Sequence, residues 1–334
     1  PVAVICDELD IAADDRFVAD SCPQVRKLLA HKFKIGHIYE DVRQTINEPM
    51  PYVDVFTFSP MCTPYSAAGK QNGVEDPNAP QFLYRWEYIA RMKPRLVIYE
   101  NVPRISEGKH KPVLIMILTT LEQNGYASHV EILNTSDYGV PQDRRRLYIM
   151  AVYKNGANCW AMEDEVVFPK PFENCPPLKQ FVKAKPANEW RWVPPPAARL
   201  ANGNVLQALN KWSERGINPF DVAIFIDAGA TPRWVTSKPN MAATLVKTHC
   251  ERACYWVSTV GGFIDVHDME ALQGYKRGTF DFRGAGVTAK SYRGMLGNAM
   301  SKNVMQFLLV YGLFKANLCT YREFDMLLRQ SQWQ

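Results

Sequence analysis

Between residues 16 and 152 short apolar runs alternate with helical stretches, and this alternation limits the fold more than any other feature of the chain. Strand-like runs lie at Arg16–Ala19, Gly36–Tyr39, from Asp54 toward Cys62, Arg95–Tyr99, Val130–Leu133 and Leu147–Val152. Between them come helices: Gln24–His31, opened by Pro23; Gln81–Met92, ended by Lys93-Pro94; and Pro112–Asn124, stopped by Gly125. The spacing of Val2, Ile5, Leu9 and Ala12 predicts a further helix at the start. Such alternation predicts an α/β fold with a doubly wound, mostly parallel sheet. In sheets of that kind, ligands gather beyond the carboxyl ends of the strands. Asp20, Asp41 and Glu100 each close a strand, which points to one active edge.

Beside those acids runs Asp54-Val-Phe-Thr-Phe-Ser-Pro-Met-Cys62-Thr-Pro-Tyr-Ser66. It begins as a strand, and Pro60 and Pro64 then hold the chain in an extended turn. Cys62 lies between the two prolines. A thiol on stiff backbone at a strand end suits a nucleophile, and a free cysteine equally serves as a small buried hydrophobe. The segment alone leaves both readings open.

A chain of 334 residues can bury two cores, or one with a large insertion. No apolar run is long enough to cross a bilayer, and no membrane partner is expected. The N-terminus lacks the basic-then-apolar pattern of a signal peptide. The eight cysteines are scattered, which predicts reduced thiols and an intracellular setting, either a nucleus or a bacterial cytoplasm. His249, Cys250 and Cys254 form the closest grouping, but a zinc site needs about four ligands, so no metal is expected. The net charge of +5 permits a nucleic-acid partner without requiring one.

After about residue 153 the texture changes. Prolines cluster (Pro169, Pro171, Pro176, Pro177, Pro194, Pro195, Pro196) and the alternation disappears. Over 179–215, Lys179, Lys183, Lys185, Arg191, Arg199, Lys211 and Arg215 face only Glu189 and Glu214, with Trp190, Trp192 and Trp212 among them. Cations for phosphates and rings for bases suit nucleic acid; a loop-rich domain with a tryptophan core fits the pattern as well. Beyond 240 regularity returns, with a helix over 301–315.

In order, these pieces resemble the cytosine-C5 DNA methyltransferase family. Ser59-Pro-Met-Cys62 is similar to its Pro-Cys nucleophile loop, and Ala68-Gly-Lys70 through Asp76 to the loop that closes over DNA. Glu100-Asn101-Val102 resembles its Glu-Asn-Val motif; Gln142, Arg144 and Arg146 resemble its Gln-x-Arg-x-Arg motif. Lys238-Pro239 through Thr244, Glu270 through Tyr275, and Gly297-Asn298-Ala299 resemble the later motifs.

The resemblance implies a reaction and a site. Cys62 would add to C6 of a flipped cytosine, and C5 would take a methyl group from S-adenosylmethionine. Glu100 would bond N3 and the exocyclic amine, Arg146 the cytosine O2, and Arg144 would help to order Glu100 and the loop. The backbone at Pro60 would read the base amine next to the cofactor. Ser66 would touch phosphate, and Lys70, Gln142, Lys183 and Arg191 would face double-stranded DNA. For the cofactor, Asp20 matches the acid on the ribose, Asp41 the acid on the adenine amine, and Asn298 the residue over the methionine end. The catalytic domain would span 1–152 and 238–334, with a target-recognition domain at 153–237.

Three departures qualify the match. The family's Phe-x-Gly-x-Gly turn is absent, the first glycine being Gly36. A short preceding piece, a second polypeptide supplying the motif, or a regulatory DNA-binding role would each account for this; retention of Cys62, Glu100 and Arg146 argues against the last. Met61 stands where the family has a second proline. Gln81 or Leu83 falls where a leucine is expected against the adenine. A transfer-RNA cytosine methyltransferase is the alternative within the chemistry, but its Cys-Phe-Thr signature is absent.

Overall fold

The structure is a computed structural model and describes residues 1–44, 50–60, 80–156 and 168–332. Cys62, Ser66 and Lys70 lie outside the described residues, as do Met61 and the side chains of Gln81 and Leu83. The chain forms two compact units, one of residues 1–133, 145–170 and 304–334, the other of 134–144 and 171–303. These units cut across the segment boundaries expected from the sequence.

The first unit opens with α1 (Val2–Glu8), which buries Val4, Ile5 and Cys6. Next come β1 (Phe17–Ala19), α2 (Pro23–Lys32) and β2 (His37–Tyr39); β1 and β2 pair in parallel, Ala19 opposite Tyr39. Proline opens α2 because the first helical position has no use for an amide hydrogen. A second parallel pair follows: β3 (Val55–Phe58), α3 (Pro80–Met92) and β4 (Leu96–Asn101), with Phe58 opposite Tyr99. Every residue of β4 is buried, as expected for a strand covered on both faces. Rings join the two pairs: Phe17 of β1 lies 6.1 Å from Phe56 of β3, and Tyr88 of α3 touches both.

Then come α4 (Lys111–Gln123), β5 (Tyr126–Asn134), the two-residue β6 (Gln142–Asp143) and β7 (Arg145–Tyr153). The sheet order is β3-β4-β7-β5, and β7 runs antiparallel to β4. The sheet is therefore mixed rather than uniformly parallel. Residues 135–144 are too few for the dozen or more a parallel crossover needs. Phe58, Trp86, Tyr99, Tyr126, Leu147 and Ile149 lie in the core that fastens α3 and α4 to this sheet. The helix Lys302–Lys315, which a last helix Tyr321–Gln332 follows, presses Gly312 against Leu96, where a methyl group would meet the leucine at 2.6 Å.

The second unit is built on α5 (Arg199–Ser213) and the antiparallel strands β8 (Ile224–Asp227), β9 (Ser237–Pro239), β11 (Tyr255–Val257) and β12 (Gly262–Phe263), in order β12-β11-β8-β9. The bridge β10 (Ala242–Ala243) pairs in parallel with β6. Val205, Ala208 and Leu209 of α5 pack on Ile224, Ile226 and Trp256. The proline-rich stretch before α5 stays irregular, as its composition predicts; α5 itself is a helix that the sequence pattern did not disclose. Helices α6 (Lys247–Glu251), α7 (Val266–Leu272) and α8 (Ala289–Asn298) complete the unit. Asp265 and Asp268 cap α7 reciprocally, and Thr288 caps α8.

Candidate active site

Glu100, the penultimate residue of β4, is 5 % exposed. In the ladder it faces Tyr148 of β7, so Arg146, two residues earlier, projects on the same side as its diagonal neighbour. The Arg146 Nε lies 3.2 Å from Glu100 Oε1. From the opposite side Ser59, just past β3, donates its hydroxyl to Glu100 Oε2 at 2.5 Å. The parallel register makes this contact possible, since Phe58 and Tyr99 are partners and Ser59 and Glu100 are the next residues on. A buried carboxylate is thus bonded at both oxygens, which offsets the cost of removing it from water. Asn101 fixes the following turn, accepting from the Val102 amide at 2.8 Å and donating to the Tyr99 hydroxyl at 2.9 Å. The chain leaves the sheet at buried Pro60, the residue after Ser59 and two residues before Cys62.

At the β1–β2 pair, the Asp20 amide bonds the Tyr39 carbonyl, which sets Asp20 level with Glu40 and one residue from Asp41. Asp20 Oδ1 accepts from the Cys22 amide at 2.8 Å ahead of α2. Asp41 is held by Arg43, through its guanidinium at 2.9 Å and 2.5 Å and its amide at 2.8 Å. Those bonds keep the Asp41 carboxyl below the usual carboxylate range. Arg85 of α3 lies within electrostatic reach of Tyr99, Asp20 and Asp41. Burial lowers its pKa, and those three groups oppose the shift.

In the second unit Arg144 is almost fully buried. Its guanidinium donates to the carbonyls of Leu245 at 3.0 Å, Gly297 at 3.4 Å and Ala299 at 2.8 Å. It thereby grips the backbone on either side of Asn298, which is exposed at the end of α8. These contacts give Arg144 an anchoring role in the second unit, while Arg146 and Ser59 are the side chains on the Glu100 carboxylate; the loop that Arg144 was also expected to order lies outside the described residues. Gln142 also needs correction as a DNA contact. It is 0 % exposed, its Nε2 donates to the Leu272 carbonyl at 2.5 Å, and its Oε1 accepts from the Leu245 amide at 3.3 Å. Both ends of the amide are consumed inside the protein, so none is left to meet a base or phosphate. Gly297 is required where it stands, because a side chain would meet the Lys247 backbone at 2.7 Å. Gln273 Nε2 donates to the Leu296 carbonyl at 2.6 Å, and buried Glu270 accepts from the Tyr292 hydroxyl and the Gly278 amide.

Lys183 and Arg191 are exposed on the second unit; the Arg191 guanidinium bonds the carbonyls of Asn188 and Trp190. Two residues escaped the sequence reading. Ser59 could have been found by aligning the ends of the two parallel strands. Arg85, on a helix next to the apolar Trp86, carried no signal of its own. Among the described residues no group of three or more His, Cys, Asp or Glu side chains could hold a metal ion.

Solved structures of the same architecture are methyltransferases. The Dnmt2 methyltransferase of S. pombe superposes with a TM-score of 0.62 at 17 % identity, covering 96 % of each chain. A putative DNA modification methyltransferase from an E. coli prophage gives 0.60 at 14 % identity, over 95 % of this chain and 96 % of that one. At such identities the likeness is one of fold alone. Sequence comparison goes one step further. The profile described as C-5 cytosine-specific DNA methylase matches residues 16–207, and the chain belongs to that family. The Type II methyltransferase M.HhaI of Haemophilus parahaemolyticus is 32 % identical over 143 residues, 43 % of this chain and 41 % of the relative. M.NgoBI of Neisseria gonorrhoeae is 29 % identical over 145 residues, 43 % of each. These matches span about two fifths of the relatives' length.

Proposed function

We propose that the chain is a DNA cytosine-C5 methyltransferase using S-adenosylmethionine. The observation that carries this reading is the buried Glu100, bonded by Arg146 and Ser59 where the chain departs at Pro60 toward Cys62. The target base leaves the duplex so that a thiol can approach C6. Cys62 adds to C6 as the thiolate, and the C5–C6 electron pair moves into the ring. Glu100, at N3 and the exocyclic amine, supplies the proton that neutralises the ring, while Arg146 stabilises charge on O2. C5, now nucleophilic, accepts a methyl group. N3 returns its proton to Glu100, a water takes the C5 proton, and the electron pair of that C–H bond re-forms the C5–C6 double bond as the thiolate is expelled.

S-adenosylmethionine, when bound, supplies the electrophilic methyl group. The donor set fits its adenosine half: two carboxylates at neighbouring strand ends suit ribose hydroxyls and an exocyclic amine, and Asp41 stays ionised through Arg43. Asn298 is the residue we assign to the methionine end, on the family motif it matches. Residues 153–237 serve target recognition, and Lys183 and Arg191 meet phosphate. Among the described residues, the second edges of β1 and of β3 have no strand partner. A second polypeptide adding a strand and the missing glycine turn is the partner this reading allows; a chain that binds S-adenosylmethionine alone would dispense with it.

Methyl transfer from labelled S-adenosylmethionine to duplex DNA and to transfer RNA tests the reading. Incorporation into DNA, lost in Cys62→Ser, is expected. Incorporation into transfer RNA alone would overturn it.

A further inference from the structure

The second unit carries an aromatic stack whose last ring is open to solvent. It starts at Gly261, which has φ +67 and stands where the Trp190 indole occupies the space a side chain would need. Hydrogen bonds from Lys185 N to the Val260 carbonyl and from Arg191 N to the Gly261 carbonyl, at 2.9 Å and 2.8 Å, fix the strap that carries Trp190. Trp190 lies 6.2 Å from Trp192 with planes 22° apart. Trp192 then stacks on Phe220 at 3.8 Å and 7°, nearly face to face. Phe220 is 61 % exposed. Its loop is ordered: Asn218 Oδ1 accepts from the Phe220 amide at 3.1 Å, and Asn218 Nδ2 donates to Asp221 Oδ2 at 2.6 Å. Trp192 shares its apolar cluster with Trp212, over whose ring sit Lys211 and Arg215 at 5.2 Å and 5.3 Å.

A rigid, planar apolar face set in a cationic stretch matches one ligand chemistry closely. A nucleobase offers a π-face of that size, and its backbone offers phosphates to the cations. From 179 to 221 the acids are Glu189, Glu214 and Asp221, the last occupied by Asn218, against the seven cations named above. A protein hot spot would place its aromatic anchor in a desolvated pocket rather than as the outermost layer of a stack. Bases inside a duplex are already stacked, so the occupant must be unpaired: extruded, bulged or at a strand end.

We propose that the outer face of Phe220 stacks an unpaired base of the nucleic-acid substrate other than the cytosine undergoing reaction. The inference rests on the nucleic-acid reading above and adds to it a preference for substrates with an unpaired nucleotide. The test uses the full chain and three DNA probes of one sequence: a blunt duplex, the same duplex with a single-nucleotide bulge, and the bulged duplex with 2-aminopurine at the bulge. The chain is expected to bind the bulged probe about tenfold more tightly than the blunt one and to quench the 2-aminopurine. Phe220→Ala should abolish both effects, Phe220→Trp should retain them, and Cys62→Ser should leave them intact. Equal affinity of the unsubstituted chain for blunt and bulged probes would overturn the platform alone, as would retention of the preference in Phe220→Ala. No binding to any probe would overturn the nucleic-acid reading with it. Retention of the preference by Phe220→Trp guards against misreading an unfolded alanine variant.

Discussion

In the proposed reaction Glu100 supplies the proton at N3, and in the structure its buried carboxylate is held by Arg146 and Ser59. Glu100→Gln keeps the shape but cannot deliver a proton to N3, so kcat should fall by about 10²-fold or more while DNA affinity changes little. A loss confined to KM for DNA would assign Glu100 to binding instead. The cysteines make a second residue-scale case. Burial pushes the thiols of Cys6, Cys175 and Cys319 up to about 11 and that of Cys250 up to about 12. Those four should resist iodoacetamide near neutrality. Cys62 should be alkylated and then protected by duplex DNA; labelling of Cys250 before Cys62, read by peptide mass spectrometry, would contradict this. At Asp41 the folded pKa is depressed, first by its side-chain hydrogen bond with Arg43. The stabilisation is therefore complete above the ordinary carboxylate pKa of about 4 and fades as the pH falls through the lower folded value. Asp41→Asn should melt below the unsubstituted chain at neutral pH, with the gap closing in acid; a gap independent of pH would remove Arg43 as the cause.

At the scale of elements, the short strand carrying Gln142, together with Arg144, acts as a fastener. Arg144 alone ties the backbone after β10 to both sides of the α8 terminus. Arg144→Ala leaves three carbonyls without that charged donor and should cost about 3 kcal/mol or more, seen as a lower melting temperature. An unchanged melting temperature would mean the anchor is dispensable. Elements differ in how plainly the sequence announces them. The strands of the first unit were legible because their apolar runs stop at Pro, Gly or an acid. The direction of β7 was not, since pattern reveals a strand but not its sense. Helix α5 stayed hidden for a specific reason. Its buried face carries Asn204, which donates to the carbonyls of Ala228 and Ala230, so the apolar period is broken where packing is tightest. Gly203 and Asn202 further weaken its helical signature.

For the whole molecule, the motifs disclosed the family while geometry redistributed the roles among their residues. Gln142 and Arg144 read as site residues through their resemblance to a family motif, and a motif does not distinguish a side chain that meets substrate from one that holds backbone, as both do here. Charge distribution gives the prediction proper to this scale. If Lys179, Lys183 and Arg191 meet phosphates, replacing all three by alanine should weaken duplex binding and reduce the salt slope by about 0.9 for each phosphate no longer neutralised. A variant with the original slope would place the basic stretch away from DNA. The most direct test of the account is a covalent one. Incubated with S-adenosylmethionine and duplex DNA carrying 5-fluorocytosine at the target, the chain should form a stable adduct, because fluorine cannot leave C5 as a proton does. Peptide mapping is predicted to find the adduct on Cys62 and to find none in Glu100→Gln within the same time. An adduct on another cysteine, or methylated product from a chain with Cys62→Ser, would contradict the account.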